Sequence, residues 1–207
     1  MPAKEKPDDL REAIIETALA IIESDGLEKL SLRQVARQIG VSHQAPYKHF
    51  ANRDHILAEV VQRTFDDFAS YLDVHPTSDD PRADMAQMGR AYVQYALSHP
   101  TQYRLMFGTP LPDAQAFPEM MVSARHAFDL LKACIQRLPN YAQKSAQQIE
   151  LDALFVWSTM HGLTSLLETQ AMQTHALSAE TPDTAIAHVL HRIGVALGVE
   201  FDSPPYN

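Results

Sequence analysis

The first hydrophobic pattern in the chain is that of an amphipathic helix. Apolar residues recur at spacings of three and four from Leu10 to Ile22, so they share one helix face. Asp9 stands before this stretch and Glu12 three residues later, an arrangement typical of a capping box, in which each side chain satisfies an otherwise orphan backbone N–H. The pattern therefore predicts a first helix that begins after Asp9 and ends before Gly26.

A short helix and a turn come next. Ser31 and Gln34 form a second capping-box pattern, the apolar positions of residues 32–39 share one face, and Gly40 ends the pattern after about two turns. We predict a second short helix in residues 43–50. Two short helices separated by a three-residue turn that contains glycine are the helix-turn-helix pattern, whose second helix enters the DNA major groove.

A long helix follows this segment. Asn52 is a favourable N-cap, and apolar residues recur at helical spacing across residues 53–74, which would span roughly 33 Å at about 1.5 Å per residue. The polar, proline-bracketed stretch 75–82 interrupts the pattern. We therefore place a domain boundary in or near this stretch.

The rest of the chain continues with helical patterns. Gly is scarce, at 7 residues, and little of the chain alternates apolar and polar residues as strands do. The predicted fold class is all-α, with an amino-terminal three-helix helix-turn-helix domain in residues 1–53, a connecting helix in residues 53–74, and a second helical domain in residues 75–207. About nine helices are expected in total, and those of the last domain are predicted over residues 81–98, 101–107, 115–138, 142–172 and 182–197.

The charge of the chain is unevenly distributed. The net charge of −9, taken as a bulk figure, argues against nucleic acid as a partner. Between Glu28 and Asp54, however, there is no acidic residue, and these 25 residues carry +5, so the other 182 residues carry −14. A local basic surface is what phosphate contacts require, because each neutralised phosphate releases condensed counterions. The basic residues of this segment are Lys29, Arg33, Arg37, Lys48 and Arg53.

The same segment offers side chains for contacting DNA. Ser31, Ser42 and Tyr47 are neutral donors for phosphate oxygens. His43 and Gln44 lie near the start of the predicted second helix, where we expect them to reach base edges, and Gln suits adenine N6 and N7. The motif and the absence of acids favour these roles over an ordinary solvated surface.

These residues resemble the tetracycline-repressor-like (TetR) family of bacterial transcriptional regulators. The resemblance covers residues 10–60 and is carried by residues 32–42, by Tyr47-Lys48-His49-Phe50, and by Asn52-Arg53 with Leu57. It implies a homodimeric repressor that binds a palindromic double-stranded DNA operator and is released by a small-molecule effector. It also implies phosphate contacts at Ser31, Arg33, Tyr47, Lys48, His49 and Arg53, and base-facing positions at Ser42, His43, Gln44 and Ala45.

Pro46 departs from the family pattern. Proline has no backbone N–H, so the predicted second helix either lacks a donor in its first turn or begins late. The choice of side chains that face the bases is therefore open, with Gln44 and Lys48 as the preferred candidates. We expect Phe50 in the core and the Tyr47 hydroxyl on a phosphate.

The roles of three further polar residues stay open. For His49 a structural role and a phosphate contact fit equally well. Spaced charges on a helix more often form a solvated face, which is the interpretation preferred for Arg37. For Arg33 the motif favours a phosphate contact.

The second predicted domain is rich in methionine and aromatic residues, which form adaptable apolar cavities suited to a lipophilic effector. Trp157, His161 and Gly162 also resemble the W-x-x-x-H-G signature of one branch of TetR-type effector domains. For any single candidate, ordinary core packing is the alternative. The candidate pocket residues are Tyr92, Tyr95, Phe128, Phe155, Trp157 and His161.

The last two predicted helices carry apolar stripes that indicate an interface. One stripe of residues 142–172 includes Ile149 and Met160, and a second includes Leu151, Gly162 and Leu166. A helix that is apolar on two sides must be covered twice. A two-fold four-helix interface between two copies is the simplest solution. The predicted interface residues are Met160, Leu163, Leu167, Ile186, Val189, Leu190, Ile193 and Leu197.

Other function classes find little support in the sequence. His188 and His191 lack a nearby third ligand, so no metal site is predicted, and no metalloprotease, hydrolase, P-loop or dinucleotide motif occurs. We assign no catalytic residue and no cofactor. The single Cys134 cannot close an intrachain disulfide, and no apolar stretch reaches the ~18 residues of a membrane span, so we expect a cytoplasmic protein with no membrane partner.

The sequence therefore favours a DNA-binding, ligand-responsive regulator that is not an enzyme. One alternative is a helical small-molecule-binding protein or enzyme that uses its amino-terminal helices only to dimerise and binds no operator. Another is a protein-interaction adaptor with a vestigial DNA-binding domain, which the retained Arg33, Tyr47, Lys48 and Arg53 disfavour.

Overall fold

The computed structural model describes residues 9–74, 77–168 and 181–199, with the side chains of residues 181–183 left aside. These ranges contain α-helices and two 3-10 turns and no strand, so the all-α prediction is confirmed. The turns are Leu27–Lys29 and Pro46–Lys48. The helices are α1 Leu10–Asp25, α2 Leu32–Ile39, α3 Arg53–Leu72, α4 Pro81–Ser98, α5 Pro100–Phe107, α6 Pro118–Gln136, α7 Ala146–Glu168 and α8 Thr181–Ala196.

The predicted N-caps of the first three helices are confirmed. The Asp9 carboxylate accepts from the backbone N–H groups of Arg11 and Glu12 at 2.9 and 3.1 Å. Ser31 Oγ accepts from Gln34 N at 3.2 Å. Asn52 Oδ1 accepts from His55 N at 3.2 Å. Each cap satisfies donors that have no partner within the helix, which fixes where the helix begins.

Two helices begin or end differently from the prediction, for local reasons. The helix predicted over residues 142–172 begins at Ala146, because Ser145 and Gln148 form a reciprocal capping box. Ser145 Oγ accepts from Gln148 N at 3.2 Å, and Gln148 Oε1 accepts from Ser145 N at 2.9 Å. The helix predicted over 115–138 begins at Pro118, whose missing N–H costs nothing in the first turn. The predicted residues beyond Glu168, up to 172, lie outside the described ranges.

The chain divides into two compact units, Met1–Asp66 with Thr101–Ala124, and Asp67–Pro100 with Arg125–Asn207. The division falls within α3 rather than in the stretch 75–82, and the first unit includes α5 and the start of α6. The functional domain bounds given above, 1–53 and 75–207, remain a prediction.

The core of the first unit is formed by α1, α2, α3 and α5. Its largest fully buried side chains include Ile14 and Ile21 of α1, Val35 of α2 and Val60 of α3. Surface ion pairs join α1 to α3, in which Arg11 contacts Glu59 at 2.7 Å and Arg63 contacts Glu12. The Arg63 hydrogen bond holds the pKa of the Glu12 carboxyl below its usual range. Burial of the apolar faces supplies most of the stabilisation, since exposed ion pairs contribute little.

The core of the second unit is formed where α4, α7 and α8 pack together. Gly89 allows the close approach of α8 to α4, because a Cβ at this position would lie 2.4 Å from Leu190 Cδ2. Arg137 Nη1 contacts Asp84 at 2.6 Å and Asn140 Nδ2 donates to Leu197 O at 2.7 Å. No helix in the described part of the chain is both long and apolar enough to span a membrane.

Candidate nucleic-acid interface

Gly40 ends α2 and reverses the chain toward the candidate interface. Its φ of 84° and ψ of 30° are left-handed, a conformation that glycine adopts at little cost. The N–H groups of Gly40 and Val41 both donate to Ala36 O at 3.0 Å. These bonds satisfy the end of α2 and direct residues 42–50 away from it.

Residues 42–50 form a series of tight turns, and the predicted second helix is wrong in detail. The N–H groups of Ala45, Lys48 and His49 each donate to the carbonyl three residues earlier, at 2.9 to 3.2 Å, which is 3-10 bonding. Pro46 explains the difference, because it has no N–H to donate and begins the Pro46–Lys48 turn. The departure from the family pattern at Pro46 therefore shapes the whole segment.

Two buried apolar residues anchor this segment in the core of the first unit. Pro46 is buried and Phe50 is only 4% exposed, as predicted for Phe50. The Arg11 guanidinium lies 5.5 Å from the Phe50 ring centre. Ala45 is half-buried. The polar side chains of the segment are exposed, namely those of Ser42, His43, Gln44, Tyr47, Lys48 and His49.

Four of the ten predicted DNA-contacting residues line one open depression. Arg33 of α2 meets His43, Gln44 and Tyr47 of the turn segment around a volume of about 610 Å³. Residues three apart share a face in 3-10 geometry, which brings Gln44 and Tyr47 together. The depression combines a cation, an imidazole, an amide and a phenol, and the segment that builds it has no acidic residue between Glu28 and Asp54. Such a donor-rich, positively charged recess suits an anionic, hydrogen-bonding partner.

Arg53 has a structural role that the sequence did not indicate. Its Nη2 donates to Leu27 O at 2.8 Å and its Nε to Leu30 O at 3.1 Å, which holds the loop before α2 against the start of α3. Asp54 lies 3.9 Å from its Nη1. The phosphate contact predicted for Arg53 stays a prediction. Two of the guanidinium nitrogens of Arg53 already donate to the backbone carbonyls of Leu27 and Leu30.

The other predicted residues of the interface lie on the surface of α2 and its cap. Ser31 is exposed, with its Oγ engaged as the N-cap of α2. Arg33 is exposed, as is Arg37, whose Nη2 donates to Gln34 Oε1 at 2.5 Å. This bond within α2 agrees with the solvated role expected for Arg37.

Four of the six predicted effector residues form two pairs in the second unit. Tyr92 OH lies 3.2 Å from His161 Nδ1, and the Phe128 and Trp157 rings are 5.7 Å apart. Burial lowers the pKa of His161 below its ordinary value. Tyr92 and Tyr95 are buried, whereas Phe128, Trp157 and His161 are half-buried and the sixth candidate, Phe155, is 42% exposed. The role of Phe155 in an effector pocket stays a prediction.

Tyr95 belongs to an aromatic stack inside the second unit. Its ring lies 5.0 Å from Phe68 and 4.6 Å from His99, and Tyr71 packs against it at 5.5 Å. Burial raises the pKa of Tyr95, and the nearby Asp67 charge raises it further. Tyr95 therefore stays a neutral phenol.

The eight predicted dimer-interface residues of the last two helices differ in their burial. Met160, Leu190, Ile193 and Leu197 are 1 to 4% exposed in the single chain, so they form its core and offer no surface to a second copy. The other four predicted residues, Leu163, Leu167, Ile186 and Val189, are half-buried. The outward stripe is the second one, with Leu151 at 60%, Leu154 at 49%, Phe155 at 42% and Leu166 at 53% exposed. Nothing lies within 4 Å of a Cβ built at Gly162.

Other candidate chemistry is sparse. In the described ranges, no three His, Cys, Asp or Glu side chains converge as metal ligands would. Cys134 is buried, and this burial raises the pKa of its thiol to about 11, so it is a poor nucleophile.

A turn segment on a two-helix scaffold, acid-free and donor-rich, places the chain in the helix-turn-helix class of proteins. The family model described as "Bacterial regulatory proteins, tetR family" matches residues 14–60, and the one described as "Tetracyclin repressor-like, C-terminal domain" matches residues 85–193. The chain therefore belongs to the TetR family. Whether it has the W-x-x-x-H-G type of effector domain stays a prediction.

Individual relatives agree with this family. A solved protein of unknown function from Rhodococcus sp. RHA1 is 28% identical, with a TM-score of 0.72 over 90% of this chain and 97% of that one. An uncharacterized HTH-type transcriptional regulator of Mycobacterium tuberculosis is 28% identical over 78% of this chain and 72% of its own length. An HTH-type transcriptional regulator of Mycobacterium bovis is 28% identical over 51% of this chain and 47% of its own, so the chain spans about half of that relative's length.

Proposed function

We propose that this chain is a transcriptional regulator that binds a palindromic double-stranded DNA operator as a homodimer. The observation that carries the proposal is the depression in which Arg33, His43, Gln44 and Tyr47 meet, inside a segment that has no acidic residue. Residues 1–53 bind DNA in this proposal, residues 53–74 connect, and residues 75–207 bind the effector and dimerise.

Within the interface, charge and hydrogen-bonding chemistry divide the roles. Phosphate oxygens are the partners of Ser31, Arg33, Tyr47, Lys48, His49 and Arg53. Base edges are the partners of Ser42, His43 and Gln44, because these exposed side chains lie on the turns that α2 and Gly40 direct outward. The half-buried Ala45 has only a methyl group to offer, which suits apolar contact with a thymine methyl.

The dimer is proposed to form through the outward stripe of α7. Leu151, Leu154, Phe155 and Leu166 are large apolar side chains exposed along one helix, and such a contiguous patch is typical of a protein interface. Gly162 leaves open space in the middle of this stripe, so a partner helix can approach closely. Val195 of α8 is a further large apolar side chain that is exposed, at 49%.

The effector is proposed to be a small lipophilic molecule that enters the aromatic interior of the second unit and lowers operator affinity. Tyr92 and His161 supply a polar pair there, beside the rings of Phe128 and Trp157. This arrangement of rings with few polar groups is common in small-molecule sites. Neither an enzymatic reaction nor a membrane partner is part of the proposal, and the protein is expected to act in the cytoplasm.

DNA binding is tested by fluorescence anisotropy with the duplex that flanks the protein's own gene, at several salt concentrations, against a random duplex. We expect tighter binding to the flanking duplex and a steep salt dependence. Lys48→Ala should weaken binding to all sequences and reduce the salt slope by about 1, whereas Gln44→Ala should change sequence preference.

Arg82→Ala is the matched control, because Arg82 is an exposed cation of α4 that lies 3.6 Å from Asp80, outside the acid-free segment. It should bind DNA as the parent does. Equal affinity for flanking and random duplexes, or binding that does not respond to salt, would overturn the proposal.

A further inference from the structure

An open groove runs along the outer side of α4, between this helix and α8. Its volume is about 610 Å³, within the range of about 300–1,000 Å³ of small-molecule sites. Val93 and Leu190 are almost fully buried and form its floor, while Leu97, at 49% exposed, stands on its wall. Ile186 and Ala187 of α8 complete the apolar lining.

One end of this groove is positively charged. Arg90 is exposed and lines the groove, and among the described residues that line it no carboxylate occurs. In the described part of the chain, no acidic side chain lies within ion-pair distance of the Arg90 guanidinium. The polar Gln94 and Ser98 lie on the same side of α4, and Ser98 Oγ donates to Gln94 O, which leaves the hydroxyl turned toward the helix. The groove thus pairs an apolar trough with one cationic end.

The groove is separate from the aromatic interior proposed for the effector. At 100° per residue, positions 90, 94 and 97 share one face of α4, whereas Tyr92 and Tyr95 project from the other side. Tyr92 and Tyr95 pack against Phe68, at ring distances of 5.4 and 5.0 Å, which places them inside the unit. A ligand in the groove would therefore contact neither of these rings.

We propose that this groove binds a single-chain amphiphile with a monoanionic head, of which a medium-chain carboxylate is the simplest example. The head pairs with Arg90, in a charge-assisted hydrogen bond that Arg geometry favours. The chain lies over Val93, Leu97 and Leu190. From Arg90 to Leu97 the helix rises about 10 Å, which matches an extended alkyl chain of about eight to ten carbons.

The test is isothermal titration calorimetry of the full chain with straight-chain carboxylates of four to twelve carbons. Affinity should rise about fourfold for each added methylene group and level off near ten carbons, where the groove ends. Arg90→Gln should weaken decanoate binding at least about tenfold, and leave the binding of neutral 1-decanol unchanged. Ala187→Phe, which fills the groove, should weaken both ligands.

Arg82→Gln is the matched control, since it removes an exposed cation from the same helix but not from the groove. It should bind decanoate as the parent does, and thermal melts should show that each variant is folded. The proposal is overturned by an absence of saturable decanoate binding, by equal binding to the parent and Arg90→Gln, or by affinity that is independent of chain length. It is also overturned if Ala187→Phe dissociates a dimer, because the groove would then belong to an interface. None of these readouts depends on operator binding.

Discussion

Replacing Arg53 by Met distinguishes two roles of this residue: hydrogen bonding within the fold and contact with a DNA phosphate. The substitution keeps an apolar stem but removes the hydrogen bonds to Leu27 O and Leu30 O. Hydrogen bonds from charged groups contribute about 1.5–3 kcal/mol each. Because the side chain is 38% exposed, water takes over part of this energy, and we expect a loss of about 2–3 kcal/mol for the two together.

The assay is thermal unfolding followed by circular dichroism. For a chain of this size each kcal/mol corresponds to about 2–4 °C, so Tm should fall by about 4–12 °C. Arg33→Met is the matched control, since this exposed arginine lines the depression, and its Tm should stay within about 1 °C of the parent because surface substitutions cost little. If Arg53→Met has the same Tm as the parent and differs only in the salt dependence of DNA binding, the structural role argued for Arg53 is wrong.

Two further predictions concern the second unit. Leu151→Glu places a charge in the outward stripe of α7, so light scattering should show a monomer instead of the dimer. Val122→Glu, at a similarly exposed apolar position of α6, should leave the dimer intact. An unchanged molecular mass for Leu151→Glu would rule out this interface. Burial lowers the pKa of His161, so the folded state binds its proton less readily than the unfolded state, and stability should fall as the pH drops below about 6.5 toward the folded pKa. His161→Gln should make the loss of Tm between pH 7 and 5 smaller, and an identical pH profile would contradict the argument.

Local signals in the sequence were sufficient for the starts of the first helices. Asp9, Ser31 and Asn52 cap α1, α2 and α3 as predicted, because a cap depends only on a side chain and the N–H groups two or three residues later. The Ser145 and Gln148 box is a signal of the same kind, and it would have placed the start of α7 correctly. Pro46, which has no backbone N–H, also indicated in the sequence that residues 43–50 would not form a regular α-helix, and 3-10 turns take its place.

Tertiary contacts determine which face of α7 is buried and what Arg53 bonds to, and local sequence patterns do not specify either. Both stripes of α7 are apolar, so the sequence could not tell which one packs against α4 and α8; the structure buries Ile149 and Met160 and exposes Leu151 and Leu166. Arg53 bonds to carbonyls 23 and 26 residues earlier, a distance that no sequence pattern encodes. The candidate interface followed from charge spacing, whereas its shape follows from Gly40 and Pro46.

In the proposed function, the acid-free segment around the depression binds DNA. Its most direct test is the salt dependence of anisotropy for the parent, Lys48→Ala and Arg82→Ala on the flanking duplex. We expect a steep salt dependence for the parent and for Arg82→Ala, and weaker binding with a slope smaller by about 1 for Lys48→Ala. Equal affinities and equal slopes for all three proteins would contradict it.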